Sequence, residues 1–238
     1  MKTRTIATAA AAIATTCGLA SAGVVTVQYT GTGQGRTVHV ASPEFNGNVF
    51  AGQLKHTISG GLGDDAEYNG NHLTFCTDLS QRVTSTPRTY EIVGLDDMPN
   101  STPMGGAKAD AIRKMYDFAG GSQLLGTTST DLGAAFQLAV WEIITDYNPS
   151  IFGGNLSVTS GSFRATKTDG SSLWTGVQTQ LAALLGAATT EGNGSTHLAG
   201  IRSTGYQDQI VPIPAPGSAV LAGLGLVCLT GRRRNTVR

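Results

Sequence analysis

Charge, aromatic residues and cysteine are all scarce in this 238-residue chain: 13% of residues are charged, 6% are aromatic and three are cysteine. So few charges cannot hold a chain open by self-repulsion, and 40% hydrophobic residues leave ample surface to bury. Charge-driven disorder is therefore excluded. The 16 basic residues only balance the 16 acidic ones and form no stripe, so no nucleic-acid partner is expected. Phosphate loops, dinucleotide fingerprints and Gly-x-Ser-x-Gly elbows are missing too. His39, His56, His72 and His197 lack metal-ligand spacing. Asp65-Ala66-Glu67-Tyr68-Asn69-Gly70 opens like an EF-hand loop, but Cys76 stands at the twelfth position where glutamate is needed. Neither a metal nor any other cofactor is expected.

The charges that exist are unevenly placed. Lys2 and Arg4 stand at the start and Arg232, Arg233, Arg234 and Arg238 at the end, which leaves 10 basic against 16 acidic residues between them. Lys2 and Arg4 precede the apolar run Ile6–Leu19, which ends in Ala20-Ser21-Ala22. A positive segment, an apolar stretch and an A-x-A site make residues 1–22 a signal peptide, with cleavage before Gly23.

The other end, residues 211–238, reads Val-Pro-Ile-Pro-Ala-Pro-Gly-Ser, then the apolar run Ala219–Leu229, then Gly231-Arg232-Arg233-Arg234. Three prolines make a stiff spacer unsuited to a central strand. The run is shorter than the roughly 20 residues of a full membrane span and needs its flanks to cross. Arginines beyond it predict a cytoplasmic C-terminus, with the rest of the chain outside. This ending resembles the PEP-CTERM sorting signal of Gram-negative bacteria, with Pro214-Ala215-Pro216 at its head. The resemblance implies passage through the inner membrane, a processing protease and release to the cell surface or matrix. A permanent single-span anchor is the alternative.

Residues 23–210 are long enough for one exported domain with a substantial core. Strands are expected at Val24–Tyr29, Thr37–Ala41, Val49–Ile58 and His72–Leu79, and again at Leu156–Phe163 and Tyr206–Val211. Helical spacing marks Ala107–Ala119, a second helix starting at Ser129 or Thr130 and stopping near Asn148-Pro149, and Ser172–Ala188. The order predicts an α+β domain, a sheet or barrel-like body with a helical insert.

Cys17 leaves with the signal and Cys228 sits in the tag, so Cys76 is the sole thiol of the exported domain. An unpaired cysteine in an exported protein is either a small buried hydrophobe or a functional group. The second helix bears on that choice. Leu138, Trp141 and Ile144 lie opposite its main apolar stripe, which predicts burial on nearly every side. Gln137 must then find partners inside the protein. It is either a structural hydrogen-bonder or the partner of Cys76.

Phe75-Cys76-Thr77-Asp78-Leu79 and Phe136-Gln137-Leu138-Ala139-Val140-Trp141 together resemble the paired motifs of bacterial surface thioester domains. The resemblance implies an internal thioester between Cys76 and Gln137, formed with loss of ammonia. It also implies single-turnover attachment to surface amines or hydroxyls rather than enzymatic turnover. Phe75, Phe136 and Trp141 would shield the bond from water, and Asp78 would orient the strand. Two other readings stay open: a non-covalent structural or matrix protein, and a cysteine hydrolase or acyltransferase.

Overall fold

The computed structural model describes residues 23–121, 124, 128–151, 156–195 and 197–213. The expected signal peptide and the apolar, arginine-ended part of the expected tag lie outside the described residues. Among the described residues no helix is long and apolar enough to cross a membrane.

Strand β1, Gly23–Ala41, is the organising element. It pairs antiparallel with β2, Asn46–Ser59, over most of its length, and its first residues pair with β4, Arg88–Gly94. Two strands were expected where β1 is continuous. The glycine-rich stretch between them is the site of register shifts between Tyr29 and Gly31 and between Thr32 and Gly35. Glycine serves close approach here: a Cβ on Gly35 would lie 2.4 Å from the Ala51 carbonyl oxygen.

From β2 the sheet continues through β3, Gly70–Cys76, to β7, Gln209–Pro212, then β6, Leu198–Arg202, and back to β4. Because β4 pairs with β1 and β1 with β2, six strands complete an antiparallel ring. The three-residue β5, Arg164–Thr166, adds to the far half of β1. The expected α+β class and its sheet-plus-helix composition are both present. β4 and β6 had not been expected. Leu156–Phe163 was expected as a strand, but Thr159-Ser160-Gly161-Ser162 turns there, and pairing begins only at Arg164. The residues at the expected start of the tag are part of the sheet. Val211 and Pro212 belong to β7, and the Ile213 N–H bonds the His197 carbonyl at 2.8 Å. Pro212 is tolerated as the last residue of its strand.

Between β4 and β6 come α1, Gly105–Phe118, α2, Thr130–Asp146, and α3, Thr175–Ala188. The Ser129 hydroxyl caps α2 by accepting the Leu132 N–H at 3.1 Å, and Asp131 in its first turn pairs with Arg36 of β1 at 2.6 Å. Every residue from Gly133 to Ile143 is buried, as an all-round apolar helix requires. Gly133 allows the helix to press on β1: a Cβ there would sit 2.6 Å from the Gln34 carbonyl oxygen.

The strand period of two then divides the core. Val25, Val27, Ile58, Tyr90, Ile201 and Val211 cluster within the ring. Val38, Val40, Ala51 and Phe75 join the larger cluster formed with the helices. Each such fully buried side chain contributes about 1.5–3 kcal/mol.

Candidate functional site

Cys76 closes β3, and alternation fixes what its neighbours do. Phe75 turns to α2 and stacks on Phe136, ring centres 4.7 Å apart. Thr74 and Cys76 turn the other way, and both reach Gln209, the register partner of Cys76 on β7. The sulfur therefore lies on the side of the strand away from α2.

Gln137 is fully buried and meets Cys76, but by the main chain. Its Oε1 accepts the Cys76 N–H at 2.9 Å, and its Nε2 donates to the Cys76 carbonyl at 2.9 Å. Both ends of the carboxamide are thereby occupied. Gln137 acts as a short stretch of extra backbone that ties the end of β3 to α2. Gln137 makes no hydrogen bond to the Cys76 sulfur.

The sulfur instead faces Gln207. The thiol donates to Gln207 Oε1 at 2.9 Å, and Gln207 Nε2 donates to the Asp78 carbonyl at 3.0 Å. Gln209 Nε2 lies 3.3 Å from Gln207 Oε1 and 3.8 Å from the sulfur. All three residues are buried. The expectations had Tyr206–Val211 only as a strand. Its signal was two glutamines bracketing an aspartate, Gln207-Asp208-Gln209, just before an apolar pair.

Asp78 anchors the arrangement. Its carboxylate accepts the Gln81 N–H at 2.8 Å and the Asp208 N–H at 2.9 Å, while the Thr77 N–H bonds the Asp208 carbonyl at 3.1 Å. The turn after β3 is thus stitched to the residue following Gln207. Asp208 in turn accepts N–H groups of Asn100 and Ser203 at 2.6 and 2.7 Å. Burial pushes the Asp208 carboxyl up to about 6 and raises Asp78 as well, although these N–H donors pull both back. Asp78 thus ties together the main chain on both sides of the sulfur.

Of the expected aromatic cover, Phe75 and Phe136 back the strand from the α2 side. Trp141 packs on Phe163 at 6.2 Å and lines a separate cavity of about 180 Å³ beside Thr77 and Lys108. The wall on the sulfur side is made by other residues. Tyr29, Phe45, Phe50, Leu54 and Arg82 share with Cys76 and Gln207 a cavity of about 450 Å³. Cys76 and Gln207 therefore border the same cavity.

Burial, reinforced by the Asp78 charge, drives the thiol well above the usual cysteine range. Such a sulfur is a poor free thiolate, which a cysteine hydrolase needs. The two histidines of this region are also engaged elsewhere. His56 Nδ1 bonds Thr74 at 2.9 Å, and His72 Nε2 bonds the Tyr68 carbonyl at 2.7 Å. Among the described residues no group of three or more metal-binding side chains is present. No family model matches the chain, and neither a curated protein nor a solved structure matches it.

Proposed function

We propose that this chain is an exported surface or matrix protein whose domain carries an internal thioester at Cys76, formed with Gln207 and used once to capture a surface nucleophile. The observation that carries the reading is the 2.9 Å separation of Cys76 Sγ from Gln207 Oε1. The carboxamide carbon is one bond from that oxygen, so attack needs only a small displacement of a buried, held group. Sulfur–carbon bond formation expels ammonia and leaves an acyl group that an amine or hydroxyl can attack through the adjoining cavity. Gln137, expected to be the acyl donor, becomes the clamp that fixes Cys76. Export through a signal peptide, and retention or sorting by the arginine-ended tail with a processing protease, supply the route to a surface. No enzymatic turnover is involved.

The non-covalent surface protein remains the second reading, because the carboxamide of Gln207 is satisfied at both ends without a bond. Intact mass separates the two. The purified chain should be one ammonia lighter than its sequence, resist thiol reagents, and gain methylamine at Gln207 while its thiol becomes titratable. A chain of full mass with an immediately titratable thiol ends the covalent reading. The route is tested separately: replacing Arg232, Arg233 and Arg234 with serine should disturb membrane retention, and unchanged fractionation would reject the tail as an anchor.

A further inference from the structure

We propose that Gln209 is the oxyanion donor of this centre, and that Thr74 and His56 are positioning residues that hold its amide in the donating orientation. The inference rests on the Cys76–Gln207 thioester argued above.

Four polar side chains run in file within the ring, whose buried cluster includes Val25, Val27, Ile58, Tyr90 and Ile201. His56, Thr74, Gln209 and Gln207 are each buried. Polar groups in such a place are costly unless they satisfy one another, and satisfied chains polarise each other. Thr74 Oγ1 donates to Gln209 Oε1 at 3.1 Å. A hydroxyl has one proton, so at its 2.9 Å contact with His56 Nδ1 the threonine oxygen accepts. The imidazole therefore carries its proton on Nδ1, and the direction of donation runs from His56 through Thr74 to Gln209. Burial lowers His56 to about 4, so the ring remains a neutral donor at ordinary pH.

The Gln207 oxygens at one end of the Gln209 amide and Thr74 at the other agree on which way it faces. With its oxygen taken by Thr74, its Nε2 points to Gln207 Oε1 at 3.3 Å, with the sulfur and the Gln207 carbonyl beside it. A flipped amide would set its own carbonyl oxygen against Gln207 Oε1 and the Gln207 main-chain carbonyl. The nearest backbone donor is already spent, because the Cys76 N–H is held by Gln137. Gln209 is thus the protein N–H that meets the acyl oxygen.

The chemistry balances on these atoms. The sulfur bonds the Gln207 carboxamide carbon, and the carbonyl π pair moves onto Oε1, where Gln209 N–H receives it. The carbon–nitrogen bond then breaks, and the thiol proton leaves on nitrogen as ammonia. Attack by an external amine on the thioester rebuilds the same oxyanion against the same donor, and the amine's proton passes to the departing sulfur. Formation and capture therefore share one stabilising group.

The test compares wild type with Gln209→Leu, Thr74→Val and Thr74→Ser in the full chain, each with a melting curve to establish folding. Mass spectrometry follows ammonia loss and then capture of methylamine. Loss of the donor should slow both steps about 100-fold. Thr74→Val should slow both measurably, while Thr74→Ser, which restores a hydroxyl, should return them towards wild type. That rescue is a readout simple packing would not give. Wild-type rates in a folded Gln209→Leu chain overturn the donor role while leaving the thioester standing. Should that variant fail to fold, equal rates in Thr74→Val and Thr74→Ser overturn the proposal. A wild-type chain that has lost no ammonia refutes the Cys76–Gln207 reading itself.

Discussion

Gln137 grips Cys76 by its peptide N–H and C=O and makes no hydrogen bond with its sulfur. A side chain from a buried helix thereby completes the hydrogen bonding of a strand end, and it does so from the opposite side of the strand to the thiol.

The two glutamines should accordingly fail in different ways. Gln137→Ala would leave a buried N–H and a buried carbonyl without partners, at about 1–3 kcal/mol each. Its melting temperature should fall, yet the folded fraction should still lose ammonia. Gln207→Ala should abolish ammonia loss and leave a free thiol. Melting curves and intact masses of both variants check this, and the reverse pattern would return the acyl role to Gln137.

How far this site was legible depends on the residue. Cys76 stood out by elimination, as the sole thiol between the expected signal and the expected tail. Gln137 stood out as an amide on a helix with apolar faces all round, and its burial was correctly expected. Which atoms it meets was not legible, because strand parity at Cys76 decides that, and parity depends on which face of β3 packs on α2. Gln207 was missed because it precedes a four-residue strand and no local pattern marks it. The helices were legible through caps and spacing. β1 was read as two strands because glycine marks a bulge and a turn alike.

Cys76→Ala should reveal the mechanical worth of the proposed bond. It would tie residues 131 apart in sequence. By analogy with a disulfide, the chain-entropy estimate is roughly 5 kcal/mol, an upper value. A melting-temperature drop on the order of 10 °C is expected. A change of only a degree or two would argue that the folded chain carries no cross-link.

Glu142 offers a pH signature independent of the thiol. It is buried; one oxygen accepts the Ser157 N–H at 2.7 Å and the other lacks a hydrogen-bond partner among the described residues. Burial, with a contribution from Asp146, lifts it from 4.5 to about 7. The folded state then holds this proton more tightly than the unfolded one. Its contribution is full below 4.5 and is lost as pH rises through about 7. Glu142→Gln should gain up to about 3 kcal/mol over wild type in mild alkali, and the gain should vanish towards pH 4.5. His56 runs the other way: with its folded value lowered from 6.5 to about 4, its contribution is present above 6.5 and lost as pH falls. Denaturation midpoints across this range, for wild type and Glu142→Gln, test both signs.

Gly133→Ala tests the seating of α2. Alanine improves helix propensity by about 1 kcal/mol. Against that, its methyl would stand 2.6 Å from the Gln34 carbonyl oxygen, which is backbone and cannot swing aside. Overpacking of this kind costs about 1–3 kcal/mol, so a net loss of stability is expected. A stabilised variant would mean that α2 shifts easily over β1.

The ring has a further consequence, for the timing of assembly. Its gap between β3 and β4 is filled by β7 and β6, the last strands of the described chain. A polypeptide made from its amino end presents Cys76 well before Gln207 and Gln209 exist, and β1, β2 and β3 can meet while the gap stays open. The proposed acyl donor and oxyanion donor then arrive together, on the same closing segment. Any bond formed there would be a record that the chain had been completed and correctly shut, and an interrupted or misthreaded copy would lack it.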